Sequence, residues 1–224
     1  MVKNAVLATL LALELCLPGG LLHAQGRTPL VGSSSWFTRI AGLGAFYHSS
    51  AKIATNGQLL PGASATVTDN STLTVDVGYD ITPNISALLM VGVPPKPLIN
   101  GRGTVAALGQ LGEVRYGPVI LTGRYSVSTL GALRPYAGTG VAYAIILKNH
   151  DAAVSRLDVR NNWGFVLQTG AECSLGGSWE LFADFKQLWL AVNADGLLAG
   201  GAPVRAHVTL NPSLVSIGVK VRPR

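Results

Sequence analysis

The sequence predicts an all-β chain, an eight-stranded antiparallel up-and-down transmembrane β-barrel. Three observations carry that reading. Segments of roughly ten residues alternate apolar and polar side chains, as a strand does when one face meets lipid and the other meets water. The linkers between them go short, long, short, long. Beyond the first residues no run reaches the ~18 apolar residues of a membrane-spanning helix, so a bilayer crossing must be made by strands. The composition agrees: 48% hydrophobic against 12% charged residues is lean in charge for a water-facing globule, and 27 glycines suit a crowded barrel interior.

Residues 1–24 read as a secretory signal peptide, and 25–224 as one barrel domain. Lys3 gives a basic start, Ala5 to Leu15 is mostly apolar, Pro18-Gly19-Gly20 breaks the run, and Leu22-His23-Ala24 precedes a cleavage position before Gln25. The strands follow in order. Ser35 to His48 is the first, and the polar stretch Ser49 to Ser71 a long loop. Leu73 to Thr82 is the second strand, with Leu73, Val75, Val77, Tyr79 and Ile81 on one face and Thr74, Asp76, Gly78, Asp80 and Thr82 on the other. Pro83-Asn84 turns it into the third, Ile85 to Val93.

Pro94-Pro95-Lys96-Pro97 ends that strand because proline cannot donate to a ladder, and a glycine-rich loop runs to about Gly112. Glu113 to Tyr125 is the fourth strand, where Pro118 demands a bulge or an unpaired position. After a turn at Ser128 to Gly131 comes the fifth, Leu133 to Leu147, and Lys148 to Arg160 is the third long connection. The sixth strand, from Asn162, sends Trp163, Phe165, Leu167 and Ala171 outward and turns at Gly176-Gly177 into the seventh, which begins near Trp179. Asn193 to Arg205 is the last long loop, and Ala206 to Val221 the eighth strand. Trp36, Trp163, Trp179 and Trp189 lie near strand ends, where interfacial rings belong. A soluble barrel of the lipocalin kind would alternate similarly with its apolar face inward, and hydropathy alone does not choose between the two.

The formal net charge is +6. Arg102, Arg115, Arg124, Arg134, Arg156 and Arg160 are dispersed without aromatic interleaving, which reads as solvated loops and barrel-end charges facing acidic lipopolysaccharide rather than as a nucleic-acid surface. With Cys16 in the leader, Cys173 stands alone and reads as a small wall residue. No phosphate loop, metal-ligand pair or cofactor motif occurs.

Arg134-Pro135-Tyr136-Ala137-Gly138-Thr139-Gly140-Val141-Ala142-Tyr143 resembles the fifth-strand motif of the OmpW family of small outer-membrane barrels. Gly78 to Leu89, continued by Gly92-Val93-Pro94, resembles that family's second hairpin. Leu111 to Arg115 with Pro118, and Asn211-Pro212 with Ser216 to Val219, fall in the expected order. Family members usually end in an aromatic residue, whereas this chain ends Val221-Arg222-Pro223-Arg224. The resemblance implies a place in the cell outer membrane and a narrow channel for small hydrophobic molecules, with relatives that admit alkanes and some that act as colicin receptors. The partners it implies are outer-membrane lipid and lipopolysaccharide, small hydrophobic molecules and the assembly machinery; no cofactor and no nucleic acid are expected.

The residues themselves add a physical constraint. Eight strands enclose a bore that side chains can fill, so traffic needs a tight or partly apolar passage. Strand phase turns Leu88, Met90, Ile146, Phe182 and Leu188 inward as a candidate apolar lumen, and Asp76, Asp80, Arg134, Glu172, Glu180, Asp184 and Lys186 inward as a candidate charge network that closes the bore. The sequence leaves two other readings open. A structural or receptor barrel would act through its long loops without transport. A lipid-modifying enzyme would need a Ser/His/acid set, and His48, His150 beside Asp151, and His207 near Ser213 come without a nucleophile motif.

Overall fold

Alternation becomes pairing along almost the whole chain. The computed structural model describes residues 35–127, 132–198 and 201–223. The expected leader, the turn at Ser128 to Gly131 and Arg224 lie outside them. In chain order the strands are β1 (Trp36–Phe46), β2 (Ser50–Thr55), β3 (Gln58–Leu59), β4 (Ala63–Val67), β5 (Asn70–Asp80), β6 (Ile85–Gly92) and β7 (Leu98–Gly103). A 3₁₀ turn, Ala106–Leu108, leads to β8 (Gln110–Ser126), β9 (Leu133–Asp151), β10 (Ser155–Val159), β11 (Asn162–Gly176), β12 (Trp179–Leu197), β13 (Pro203–Thr209) and β14 (Ser213–Val221).

Eight of these form the wall, each antiparallel to its neighbours, in the circle β1-β5-β6-β8-β9-β11-β12-β14. The circle closes where β14 pairs β1, from Thr38↔Val221 to Phe46↔Ser213. Closure removes the sheet edges whose unpaired backbone groups would each cost several kcal/mol in hydrocarbon. Both chain ends of the wall fall beside the short turns. There Pro83-Asn84 is fixed by Ile85 N–H donating to Thr82 Oγ1 at 3.0 Å, and Gly176 and Gly177 take φ of 102° and 59°, a region other residues enter at a cost.

The structure decides which face is inward. Leu73, Val75, Val77, Tyr79 and Ile81 are exposed, as are Leu89, Leu121, Val141, Phe165 and Leu167, while Arg39, Asp76, Arg124, Glu172, Asp184, Lys186 and Lys220 are buried. That is the polarity of a barrel in lipid and the reverse of a soluble one. Aromatic rings mark two levels of the wall. Trp36 packs edge-on to Tyr79 near the short turns, and Tyr143 with Trp163, and Phe165 with Trp189, pair higher up.

The wall outgrows a bilayer. Strands β9 and β12 have 19 residues each, which at ~3.3 Å per residue and a tilt of about 40° rise roughly 48 Å, against an apolar band of about 25 Å. The surplus is a collar at the long-connection end, and here the sequence reading needs correction. The stretches expected as loops carry paired strands: β2 pairs β13 and β3, β4 pairs β7, β7 pairs β8, and β10 and β13 both pair β12. Their alternation uses small or single apolar residues, as in Ala51 and Ile53 on β2, so polar content hid the period. The expected eighth strand, Ala206 to Val221, is also divided. Pro212 has no N–H and Asn211 adopts φ 36°, so the chain jogs between β13 and β14 while Asn211 Oδ1 accepts the Leu190 N–H at 3.2 Å.

Candidate functional site: apolar cavities above a charged floor

At the short-turn end, inward phase forces charges together. Arg39 on β1 reaches Asp184 on β12 at 2.9 Å through Nη2, and its Nε faces Asp76 on β5 at 3.3 Å. Asp184 also accepts from Lys186 Nζ at 2.8 Å, the Tyr136 hydroxyl at 2.8 Å and Gln168 Nε2 at 2.5 Å. Beside this group, Glu172 is shared by Arg124 at 2.5 Å and Lys220 at 2.8 Å, and Lys220 extends to Glu180 at 3.2 Å. At the rim Asp80 holds Arg222 at 2.6 Å and the Ser86 hydroxyl at 2.6 Å.

Rings fill the spaces between. Arg39 lies 3.5 Å above the Phe182 ring centroid, and Phe37 takes Lys220 at 4.5 Å and Arg124 at 5.1 Å. The cations Arg39, Arg124, Lys186, Lys220 and Arg222 are matched by the carboxylates Asp76, Asp80, Glu172, Glu180 and Asp184, so the layer is balanced in charge and packed by ring and ion pair alike.

Above this floor the interior turns apolar. Leu43, Ala45, Met90, Ile120, Ala142, Val166, Leu188 and Leu214 form a buried cluster across the barrel. It borders a cavity of about 30 Å³ whose lining includes Leu43, Met90, Leu188, Tyr116, Pro95 and Pro118. A second cluster sits in the collar and borders a cavity of about 50 Å³ lined by Ile53, Ala65, Val105, Leu111, Val154 and Val208, among others. Between the two, Tyr47 packs on the lower cluster and Tyr116 on the upper, and their hydroxyls hydrogen-bond to each other.

The wall has a seam at this level. Pairing of β6 with β8 stops at Val91↔Val119, and pairing of β7 with β8 starts only at Leu98↔Glu113. Pro118 lacks the N–H that would continue the ladder, and it lines the lower cavity together with Pro95. The bulge lies two residues further on, between Arg115 and Tyr116 on the β9 side.

Residues 38–222 match the model of the OmpW family. The chain belongs to that family. It is similar to the dibenzothiophene metabolism operon protein PahQ of Pseudomonas aeruginosa, with 37% identity covering 83% of this chain and 87% of that one. It is also similar to the outer membrane protein AlkL of Ectopseudomonas oleovorans, with 33% identity covering 72% and 70%. Among solved structures, AlkL in lipid bilayers superposes with a TM-score of 0.68 at 26% identity, covering 91% of this chain and 97% of that one. OprG of Pseudomonas aeruginosa superposes at 0.79 with 18% identity, covering 86% and 97%, a likeness of fold. This OmpW-family protein is an outer-membrane barrel whose collar continues the wall beyond the bilayer.

The inward residues expected from the sequence distribute over distinct levels of the OmpW-family barrel. Met90 and Leu188 line the lower cavity, and Ile146 packs on the collar cluster. Leu88 is buried but lines neither cavity. Phe182 belongs to the floor, under Arg39. Of the expected charges, Asp76, Glu172, Asp184 and Lys186 are fully buried, while Asp80 and Glu180 hold its edge. Arg134 stands apart: β9 has only just begun, so its guanidinium reaches the Pro83 carbonyl at the turn instead.

Sequence reasoning missed Arg39, Arg124 and Lys220, and had read Arg124 as solvated, although it is 3% exposed. The available signal was phase, since Arg124 alternates with exposed Leu121 and Tyr125 as an inward residue must. Cys173 is buried between Leu133 and Leu181 in the pairing register. His207 bonds Asn193 at 2.9 Å and His150 faces Glu113 at 3.7 Å, while Ser213 donates to Gln187. Among the described residues no cluster of His, Cys, Asp and Glu is placed to hold a metal ion.

Proposed function

We propose that this barrel passes small hydrophobic molecules through the outer membrane by way of its apolar upper interior. One observation supports the reading: two apolar cavities lie above a floor of buried ion pairs, and the lower one is lined by Pro95 and Pro118 at the seam in the wall. Crossing the floor would mean breaking ion pairs whose loss costs about 3–5 kcal/mol each. Leaving through the seam breaks no ion pair, because the cavity there is lined by Pro95, Pro118 and apolar side chains. The name of PahQ, a dibenzothiophene metabolism operon protein, supports a substrate of this character, a compact apolar molecule without charge.

The cavities are smaller than the ~150 Å³ that a benzene-sized guest occupies in a protein core. Transport therefore requires side chains to move, and the Tyr47–Tyr116 pair stands where the two cavities would join. The direct experiment is uptake of dibenzothiophene into proteoliposomes holding this barrel, beside liposomes holding an unrelated eight-stranded barrel. The reading predicts faster uptake with this barrel. Equal rates would overturn it and favour a receptor or structural role exercised through the collar.

A further inference from the structure

Just above the upper aromatic level, β8 and β9 place two cations side by side. Arg115 is paired in register with Lys148, both are exposed, and their inward neighbour Val114 is buried. Like charges at directly opposed positions destabilise a sheet unless something lies between them. Neither side chain has an acid within ion-pair reach among the described residues. Glu113, next along the same face, faces His150 at 3.7 Å. Asp158 lines the same surface recess as Lys148 without pairing with it. Asp195, opposite Asp158 in register, is held by Arg160 and Arg205. Asp195 is thus answered by its arginines, while Glu113 and Asp158 make no ion pair with either of the opposed cations.

Position says what answers it. Tyr143 and Trp163 mark the upper interface, and Lys148 is five residues further along β9, which at ~3.3 Å per residue and a tilt of about 40° puts it roughly 13 Å higher. Exposed Leu147 lies beside it. A cation pair at that height, on the lipid-facing side and continuous with the apolar band, meets the headgroup layer of the outer leaflet. We propose that Arg115 and Lys148 form a binding site for a phosphate of the outer leaflet's glycolipid, the fork of Arg115 and the ammonium of Lys148 sharing its oxygens. Arg115 lies on the β8 stretch that borders the seam, so this outward-facing site neighbours the proposed exit, but it does not rest on passage through the interior.

The test uses the whole barrel in phosphatidylcholine nanodiscs, titrated with bisphosphorylated lipid A, with lipid A stripped of its phosphates, and with inorganic phosphate, while amide NMR shifts of β8 and β9 are followed. The expected result is saturable binding of the phosphorylated glycolipid, weakened roughly ten- to thirty-fold in R115Q/K148Q, since each basic residue near such a surface contributes about one kcal/mol. R115K/K148R should retain binding, and R102Q, which alters an exposed collar arginine bonded to Thr66, should not change it. Unchanged binding by R115Q/K148Q, equal binding of the phosphate-free glycolipid, or equal saturation by inorganic phosphate would overturn the proposal. R115E/K148E, checked for folding by heat-modifiable gel mobility, gives a second charge-sensitive variant should the first fail to fold.

Discussion

Arg39 lies against Phe182, its guanidinium carbon 3.5 Å from the ring centroid, and the same guanidinium holds Asp184 at 2.9 Å. Residues 182 and 184 share an inward face because strand side chains alternate, so one stretch of β12 offers β1 both a π-face and a carboxylate. Asp184 is the centre of the floor, accepting also from Lys186, Tyr136 and Gln168. Replacing it with leucine strands two buried cations. Asp184→Leu should lower unfolding stability by about 3–5 kcal/mol, and Phe182→Leu by about 1–2 kcal/mol. Urea titration of the detergent-folded barrel followed by tryptophan fluorescence measures both.

Gly78 gives Phe37 its seat: a Cβ at position 78 would overlap the Phe37 ring. The ring cannot retreat, because Arg124 and Lys220 stand over it. Gly78→Ala should therefore destabilise by about 1–3 kcal/mol, the range for overfilling a packed interior. The same urea titration applied to Phe37→Leu/Gly78→Ala should recover part of the loss.

Collar acids give a pH signature. Asp195 is held below the ordinary carboxylate value of 3.8 by the hydrogen bond from Arg205, opposed by slight burial and aided by Arg160. With its folded value below its unfolded one, its contribution is complete above about pH 4 and is lost as pH falls through the folded value. Amide exchange at the β12–β13 pairing should stay constant from pH 7 to about pH 4, after correction for intrinsic rates, and accelerate only below it. D195N should remove that step, and high salt should shrink it, because the arginines are exposed.

The Tyr47–Tyr116 bond makes single and double variants differ in size. Tyr47→Phe leaves a half-buried hydroxyl unpaired and should cost about 1–2 kcal/mol. The double variant Tyr47→Phe/Tyr116→Phe removes both hydroxyls and should stay within about 1 kcal/mol of the parent. Under the proposed function that double variant takes up dibenzothiophene faster, because the bond joining the two clusters is gone. Stopped-flow uptake beside urea titration separates the two effects.

Much of the wall was legible in the sequence because lipid imposes a strict rule: outward residues such as Leu73, Val75 and Val77 must be apolar at period two. Residue 182 shows where legibility ended. Its phase was right, but whether an inward phenylalanine lines a lumen or backs an arginine depends on Arg39, which arrives from a strand 145 residues away from Asp184 in sequence. The collar was hidden for a different reason. Ala51, Ala63 and Ala65 bury little area each and sit among polar residues, so their alternation carries no strong hydropathy signal. Only their pairing partners on β13 and β7 make them strands.

Molecules that travel through the apolar interior above the floor must pass Leu188. Leu188 lines the lower cavity, and tryptophan there fills it without adding charge. Dibenzothiophene uptake into proteoliposomes should be measured for the parent and for Leu188→Trp, matched for folded protein by gel mobility. The variant should fall to the rate of an unrelated eight-stranded barrel. Uptake at the parent's rate with the cavity filled would contradict passage through the apolar interior.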